Sequence, residues 1–481
     1  MPDETRESGL IDRTLSHLRR AWHDVAASAR VAVSGAVRPD LPEEDARRLR
    51  RKMLECLEGR GGEVSPRARA ADLGRTYLTL NSAGRARFLG LMAEGFATDR
   101  DAVDAAIAEV EAAGDAAARQ RAEARLRRAL VPSRQKLLTQ FNALSEGVKF
   151  LVDLRAELMA FARDDPLLGA LDADLRELLV SWFDVGFLDL RRITWDAPAA
   201  LLEKLIAYEA VHEIRSWSDL KNRLDSDRRC FAFFHPRMPS EPLIFVEVAL
   251  VTGMATHIQV LLDESAPRCE PGDADTAIFY SISNAQAGLA GINFGSFLIK
   301  RVVDDLAHEF PGLKTFATLS PIRGFGAWLE TRLAAGEELF TRAEDKALAA
   351  HAPDGGDRGS PLAALLAGDW HADAAAAEAL KPPLERLCAR YLLQEKRDGR
   401  PLDPVARFHL RNGASIGRIN WLADTSPKGL RQSLGMMINY IYKLDAIEDN
   451  HEAYTGEGRV VAAAAVRALV RGQPAGAMAA G

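Results

Sequence analysis

Ala277-Ile-Phe-Tyr-Ser-Ile282, then Asn284-Ala-Gln-Ala-Gly-Leu-Ala-Gly-Ile-Asn-Phe-Gly-Ser296, then a helical run to Phe310, then Lys314-Thr-Phe-Ala-Thr-Leu319: this stretch decides the fold. The first hexapeptide is β-rich and, but for Ser281, apolar, the pattern of a buried strand. The helical run carries Ile299, Val302, Val303, Leu306 and Phe310 on one face, and Pro311-Gly312 stops it. Strand, glycine loop, helix and strand make a β-α-β unit.

Outward from this unit the texture differs on the two sides. Residues 1 to about 186 read as all helix, with apolar stripes at Leu137, Leu138, Phe141 and Leu144 and at Phe150, Leu151, Leu154, Leu158 and Phe161. The arginines of 115–136 are interleaved with acids, which reads as a solvated helix face or a helix–helix contact. After about 190 strands dominate: Cys230–Phe234, Leu243–Val251 and His257–Leu262. Residues 330–398 return to helix around a glycine-rich loop at 354–360, and the small, polar tail from 466 is expected to be disordered. The fold class expected is α+β: an all-helical domain over 1–186, an α/β domain over 187–465, and a tail over 466–481.

Composition excludes several function classes. Of 481 residues, 47% are hydrophobic and 27% charged, and the net charge is −6. No global basic field recruits nucleic acid. No apolar run approaches the roughly 20 residues of a membrane span. The four cysteines, Cys56, Cys230, Cys269 and Cys388, form no Cys-x-x-Cys pair, and the histidines lack ligand spacing, so no metal site is expected. A reducing cytoplasm fits this cysteine usage.

Three segments carry chemistry. In the loop 284–296, Gly288, Gly291 and Gly295 permit close backbone approach, and the helix after it offers free N–H groups and a positive dipole end to a pyrophosphate. An ordinary turn has the same glycines. Ser320-Pro-Ile-Arg-Gly-Phe325 follows a strand, where ligands of open α/β sheets bind, although Ser-Pro is usually a plain stiff turn. Asp403-Pro-Val-Ala-Arg-Phe-His409 precedes the turn signal Arg411-Asn412-Gly413, and Arg418–Trp421 and Asn439–Tyr442 set polar groups among aromatics. A lone histidine is more often structural, and a satisfied core explains the pattern equally well. His212 and the remaining histidines stand alone.

Read together, long strings of this chain resemble the malonyl-CoA decarboxylase family. They are Arg192–Pro198, Phe279–Ser283, Gly295–Val303, Leu319–Phe325, Pro404–Ala414 and Arg418–Ser426. The resemblance implies a helical oligomerisation domain, commonly tetrameric, followed by an acyl-CoA-binding catalytic domain of the GNAT acyltransferase fold. It implies that Ala290, Gly291, Ile292, Asn293, Phe294, Gly295 and Ser296 bind CoA. It makes Ser320 and His409 a catalytic pair that also contacts substrate, with Tyr442 beside them. The acyltransferase signature fits only as Gln286–Gly291, and Asn293 stands where some relatives carry Glu.

Decarboxylation of a malonyl thioester needs no metal or organic cofactor, because the thioester carbonyl takes the electrons as an enolate. Ser320 suits orientation of the carboxylate. His409 suits proton delivery, since imidazole ordinarily titrates near neutral pH. Amides around Gly291 suit the thioester oxygen. A CoA-dependent acyltransferase or a non-catalytic acyl-CoA sensor would use the same fold.

Overall fold

The computed structural model describes residues 37–57, 64–292, 297–351, 361–366 and 368–471. The expected glycine-rich loop at 354–360 and the tail beyond 471 lie outside these residues, as do Asn293, Phe294, Gly295 and Ser296. Contacts group the chain into two compact units. The first holds residues up to Asp189 together with Phe233–Ile244 and Asn284–Phe294; the second holds Leu190–Ala232, Phe245–Ser283 and the chain from Gly295 onward.

The first unit is helical, as its sequence pattern requires. Helices run over Glu43–Leu57, Val64–Thr79, Ser82–Gly95, Arg100–Glu111, Ala116–Ala129, Ser133–Asn142, Gly147–Phe161 and Pro166–Trp182. Side chains of Asn81, Asp99, Asp115 and Asp165 cap four of them by accepting N–H groups of the first turn. Leu137, Leu138, Phe141, Leu151 and Leu158 are fully buried, so both predicted stripes face the core. The arginine-rich stretch is mostly the solvated face: Arg119 pairs with Glu123 and Arg125 with Glu109, all exposed. Arg134 is the exception, buried against Asp174 at 2.5 Å.

Beyond the helical region the chain builds a mixed sheet, most of whose strand residues belong to the second unit. In chain order the strands are β1 (Asp189–Ile193), β2 (Arg228–His235), β3 (Met238–Val251), β4 (Thr276–Asn284), β5 (Thr315–Thr318), β6 (Ser320–Pro321), β7 (Lys396–Arg397), β8 (Arg400–Pro401), β9 (Ser415–Asn420) and β10 (Met437–Tyr442). The sheet order is β1-β2-β3-β4-β5-β10-β6, with β9 on β10, while β7 and β8 form a separate ribbon. The predicted β-α-β unit is present: β4 and β5 pair in parallel, and the helix between them spans Phe297–Glu309 with Ile299, Val302, Val303 and Leu306 fully buried.

Three expectations are corrected. His257–Leu262 is not a strand: Ile258–Leu262 is one helical turn, with Ile258 and Leu261 buried three residues apart and Val260 exposed. A run as short as Ile-Gln-Val-Leu-Leu satisfies either period, and packing against Ala249, Ile278 and Ala317 chose the helix. Ser320-Pro321 is not a turn: it is β6, paired with β10 through Ile438 and Met437. The tail does not lose structure at 466, because the helix Ala464–Leu469 runs through that position.

Gly288 shows what its lack of a side chain is for. A Cβ there would sit 1.7 Å from the carbonyl oxygen of Val152. Gly90, inside the helix Ser82–Gly95, has nothing within 4 Å of its Cβ position. Gly288→Ala should therefore lower stability by about 1–3 kcal/mol through overpacking. Gly90→Ala should raise it by roughly 0.5–1 kcal/mol through helix entropy. Thermal melts of the two variants check both signs.

Candidate active site

The site in the second unit begins with an irregularity in the sheet. β5 and β6 run antiparallel to β10 in one common register, since Phe316 faces Tyr442 and Ser320 faces Ile438. Between them the ladder is replaced by side chains. The Tyr440 N–H donates to Thr318 Oγ1 at 3.1 Å, and Asn439 Nδ2 donates to the Thr318 carbonyl at 2.7 Å. Asn439 is itself fully buried, and its Oδ1 accepts from Asn420 Nδ2 at 2.7 Å. The Leu319 N–H turns instead to the Phe279 carbonyl of β4 at 3.0 Å. On the other edge of β10 the register slips at Asn439/Tyr440, so the strand is irregular on both sides at one level.

His409 arrives from the short helix Pro404–Arg411. Asp403 caps it by accepting the Ala406 N–H at 2.7 Å, and Pro404 fills the first helical position. The helix ends at Asn412, and Gly413 follows with φ +79°, where a Cβ would lie 2.2 Å from the Ile447 carbonyl oxygen. His409 is in the last turn and 2% exposed. Its ring stacks on Tyr440, with centroids 4.5 Å apart and planes 23° from parallel.

Both ring nitrogens have partners. Nε2 lies 3.1 Å from Ser320 Oγ and Nδ1 lies 2.8 Å from the Tyr442 hydroxyl. Ser320 Oγ in turn lies 2.9 Å from Thr318 Oγ1. The result is a chain Tyr442–His409–Ser320–Thr318, in which neutral imidazole donates at one nitrogen and accepts at the other. Its direction follows the tautomer: with the Tyr442 hydroxyl donating to Nδ1, the Nε2–H donates to Ser320.

Burial alone pushes the His409 pKa down, to about 3. This corrects the expectation of an imidazole poised near neutral pH: burial favours the uncharged form of His409. Burial also pushes up the hydroxyl pKa of Tyr442 and of Tyr440. The chain is therefore a set of neutral groups in a low-dielectric enclosure, which can exchange hydrogen bonds and has no resident charge.

Of the residues predicted for catalysis and binding, Ser320, His409 and Tyr442 are brought together, although Ser320 and His409 are 89 positions apart in sequence. Ala290, Gly291 and Ile292 group with the helical unit. There the amides of Ala290 and Ile292 are taken by the carbonyls of Ala287 and Leu289, each at 3.0 Å. Among the described residues, the expectation of open amides around Gly291 therefore does not extend to those of Ala290 and Ile292. Asn293, Phe294, Gly295 and Ser296 lie outside the described residues.

Sequence reasoning set His212 aside, yet it lines a cavity of about 700 Å³ in the second unit, together with Arg215, Gln259, Asp424 and Lys428. Glu209 holds the segment from one side, accepting the N–H groups of Val211 and His212 and the hydroxyls of Ser281 and Ser283. Lys428 holds it from the other, donating to the Ala210 and Val211 carbonyls at 3.0 and 2.8 Å. His212 Nε2 is buried without a partner, and burial pushes the His212 pKa down to about 3. The helix Pro427–Ser433 that carries Lys428 also packs on Ser320–Pro321. The sequence reads Leu201–His212 as one helix, whereas the structure ends it at Tyr208, and nothing in the spacing around His212 marks a site.

Among the described residues no group of His, Cys, Asp and Glu is arranged to hold a metal, and no helix is long and apolar enough to cross a membrane. All four cysteines are free thiols, and Cys56, Cys230 and Cys388 are buried.

Residues 186–480 match the family model for the malonyl-CoA decarboxylase C-terminal domain, and residues 96–183 match that for the N-terminal domain. The chain is 38% identical to the mitochondrial malonyl-CoA decarboxylase of Rattus norvegicus, over 91% of each chain. Against that of Anser anser anser it is 40% identical, over 84% of this chain and 83% of the relative. The crystal structure of malonyl-CoA decarboxylase from Rhodopseudomonas palustris superposes with TM-score 0.80 at 43% identity, covering 88% of this chain and 99% of that one. The structure from Agrobacterium vitis gives TM-score 0.80 at 42% identity, with the same coverage.

The two depressed histidines make stability depend on pH. Both fall from about 6.5 in the unfolded chain to about 3 in the folded one. Below 6.5 the unfolded chain binds protons that the folded chain refuses, so this stabilisation is present above about 6.5 and is lost as pH falls toward 3. The melting temperature should drop between about pH 7.5 and 5, and drop less in His409→Gln or His212→Gln. Parallel melts at the two pH values test this.

Proposed function

The chain belongs to the malonyl-CoA decarboxylase family and is a carboxy-lyase acting on malonyl-CoA, and we propose that Ser320, His409 and Tyr442 carry out its chemistry. In this reading the Ser320 hydroxyl binds the malonyl carboxylate and turns it out of the plane of the thioester carbonyl. The bond from Cα to the carboxyl carbon then breaks. Its electron pair passes through Cα to the thioester oxygen as an enolate, and CO₂ leaves. A proton added at Cα gives acetyl-CoA, so each turnover consumes one proton.

The 3.1 Å contact between Ser320 and His409 is the observation that carries this assignment. The neutral resting imidazole gives it a definite proton logic. A carboxylate bound at Ser320 is a negative charge beside His409 in a low-dielectric site, and it favours the imidazolium form. The substrate thus draws in the proton that its own decarboxylation needs. Tyr442 holds the ring by Nδ1 so that Nε2 addresses Ser320. The electron sink is the thioester, and no step is routed through a cofactor.

We further propose that Ala290, Gly291, Ile292, Asn293, Phe294, Gly295 and Ser296 bind the CoA moiety. In this proposal residues 1–186 form the oligomerisation domain of a homotetramer and residues 187–465 a GNAT-like catalytic domain. The parallel β4–β5 pair, with a glycine loop and helix between its strands, supports the GNAT-like assignment. Four unpaired thiols support a reducing, cytoplasmic setting, although the curated relatives above are named mitochondrial.

Purified protein given malonyl-CoA alone should release CO₂ and acetyl-CoA. Ser320→Ala and His409→Ala should each lower kcat by about 10²–10⁴, the usual weight of an acid–base group. Tyr442→Phe should lower it about tenfold, the worth of one hydrogen bond. Turnover that required an added amine acceptor would favour the acyltransferase. Binding without CO₂ release would favour a sensor.

A further inference from the structure

The helix that carries His409 starts on a buried carboxylate. Asp403 is 0% exposed, and its Oδ1 accepts the Ala406 N–H at 2.7 Å. Among the described residues its Oδ2 completes no hydrogen bond. Burial pushes the Asp403 pKa up to about 6, and the N–H groups of Ala406, Gly324 and Val405 act against burial by favouring the ionised form. Val405 and Ala406 belong to the His409 helix, whereas Gly324 ends the segment Ser320-Pro-Ile-Arg-Gly324 and starts the helix Phe325–Ala334. One carboxylate therefore addresses both segments that carry the proposed reacting pair.

Capping alone does not call for such a group. Serine and asparagine start a helix as well as aspartate does, without a charge to bury. Four titratable groups face Asp403: Cys388 and Tyr391 from the helix Ala374–Leu393, Tyr440 from β10 and Arg407 from its own helix. Arg407 Nη1 donates to the Pro401 and Leu402 carbonyls, each at 3.0 Å, and the backbone N–H groups favour the carboxylate more than Arg407 does. Tyr440 ties this charge to the imidazole. Its ring stacks on His409, and its buried hydroxyl has no hydrogen-bond partner among the described residues. Burial and, after it, the charge of Asp403 push the Tyr440 hydroxyl pKa upward. A hydroxyl dipole orients in the field of a nearby carboxylate, so the ring under His409 is oriented by Asp403.

We propose that Asp403 is a positioning residue of the reaction: its carboxylate sets the helix that delivers His409, the segment that follows Ser320, and the Tyr440 ring beneath the imidazole. The inference rests on the proposed reading of Ser320 and His409 as the reacting pair. All of these groups lie in the second unit. Activity then carries the titration of a group that does not meet the substrate. Once protonated, the carboxyl is a weaker acceptor for the N–H groups and no longer orients the Tyr440 hydroxyl by charge.

The test measures kcat and KM for malonyl-CoA from about pH 5 to 8 with full-length wild type, Asp403→Asn and Asp403→Ser, both of which keep a good cap. Wild-type kcat should fall as the pH drops through about 6. At about pH 7.5 each variant should lose about ten- to a hundredfold in kcat, the scale of a misplaced reacting group, with KM within about twofold. The fall near pH 6 should vanish in both. Because the folded pKa is raised, ionisation of Asp403 costs the folded protein stability at every pH above about 6, and Asp403→Asn removes that cost. Its melting temperature at about pH 7.5 should equal or exceed that of wild type. A wild-type kcat that is flat through pH 6 would overturn the inference, even where a variant fails to fold. So would a fall that stays at the same pH in a folded variant, or a lowered melting temperature with kcat unchanged, which is the behaviour of a plain cap. Wild-type turnover in His409→Ala would overturn the catalytic reading and the inference together.

Discussion

An imidazole can be buried at little cost only if it is neutral and if both its nitrogens find partners. His409 meets both conditions, and the second unit around it is arranged accordingly. One partner, Tyr442, and the stacking surface, Tyr440, come from β10. The other partner, Ser320, comes from β6, which reaches the ring only because the ladder is broken at Thr318–Leu319. Asn439 fills that break with its side-chain amide, so the carbonyl of Thr318 is not left unpaired in the core. Removing any of these groups would leave a buried polar atom exposed to the full desolvation penalty.

The same arrangement explains how the resting protein and the proposed reaction fit together. Burial, and no neighbouring charge, keeps the imidazole unprotonated. A site without a fixed charge does not hold a carboxylate in its ionised ground state as firmly as a salt bridge would. Release of CO₂ moves the charge onto the thioester, where it is delocalised. In the proposed reaction the proton is supplied in step with the substrate, by a histidine whose charge would depend on a bound anion and not on a standing salt bridge.

Much of this was legible in the residues. The strand, glycine loop, helix and strand over 277–319 carry their periods plainly, and the helical region before 186 has one dominant pattern. Ser320, His409 and Tyr442 were reached through the resemblance of long strings. Their meeting depends on β10 pairing with β5 and β6 across more than a hundred residues, which no local pattern encodes. Ser-Pro was read as a turn because proline usually ends a ladder; here it lies on a two-residue strand. Thr318 escaped notice, and Asn439 and Tyr440 were noticed only as part of a mixed polar and aromatic stretch, because their roles exist only at the irregularity of β10. The charge state of His409 was misjudged for a related reason: it is set by tertiary burial, and the sequence shows only the residue type.

The cysteines give the molecule a set of internal clocks. Cys56 lies in the helical unit, Cys230 and Cys388 lie in the sheet unit, all three are buried, and Cys269 is partly accessible. A thiol reacts as its thiolate, and burial pushes the pKa of Cys56, Cys230 and Cys388 upward. Alkylating reagents must therefore wait for each unit to open before they reach these sulfurs, whereas Cys269 is modified without waiting. Labelling rates resolved by peptide mass would report the opening free energy of the helical and sheet units separately, in the unmutated chain.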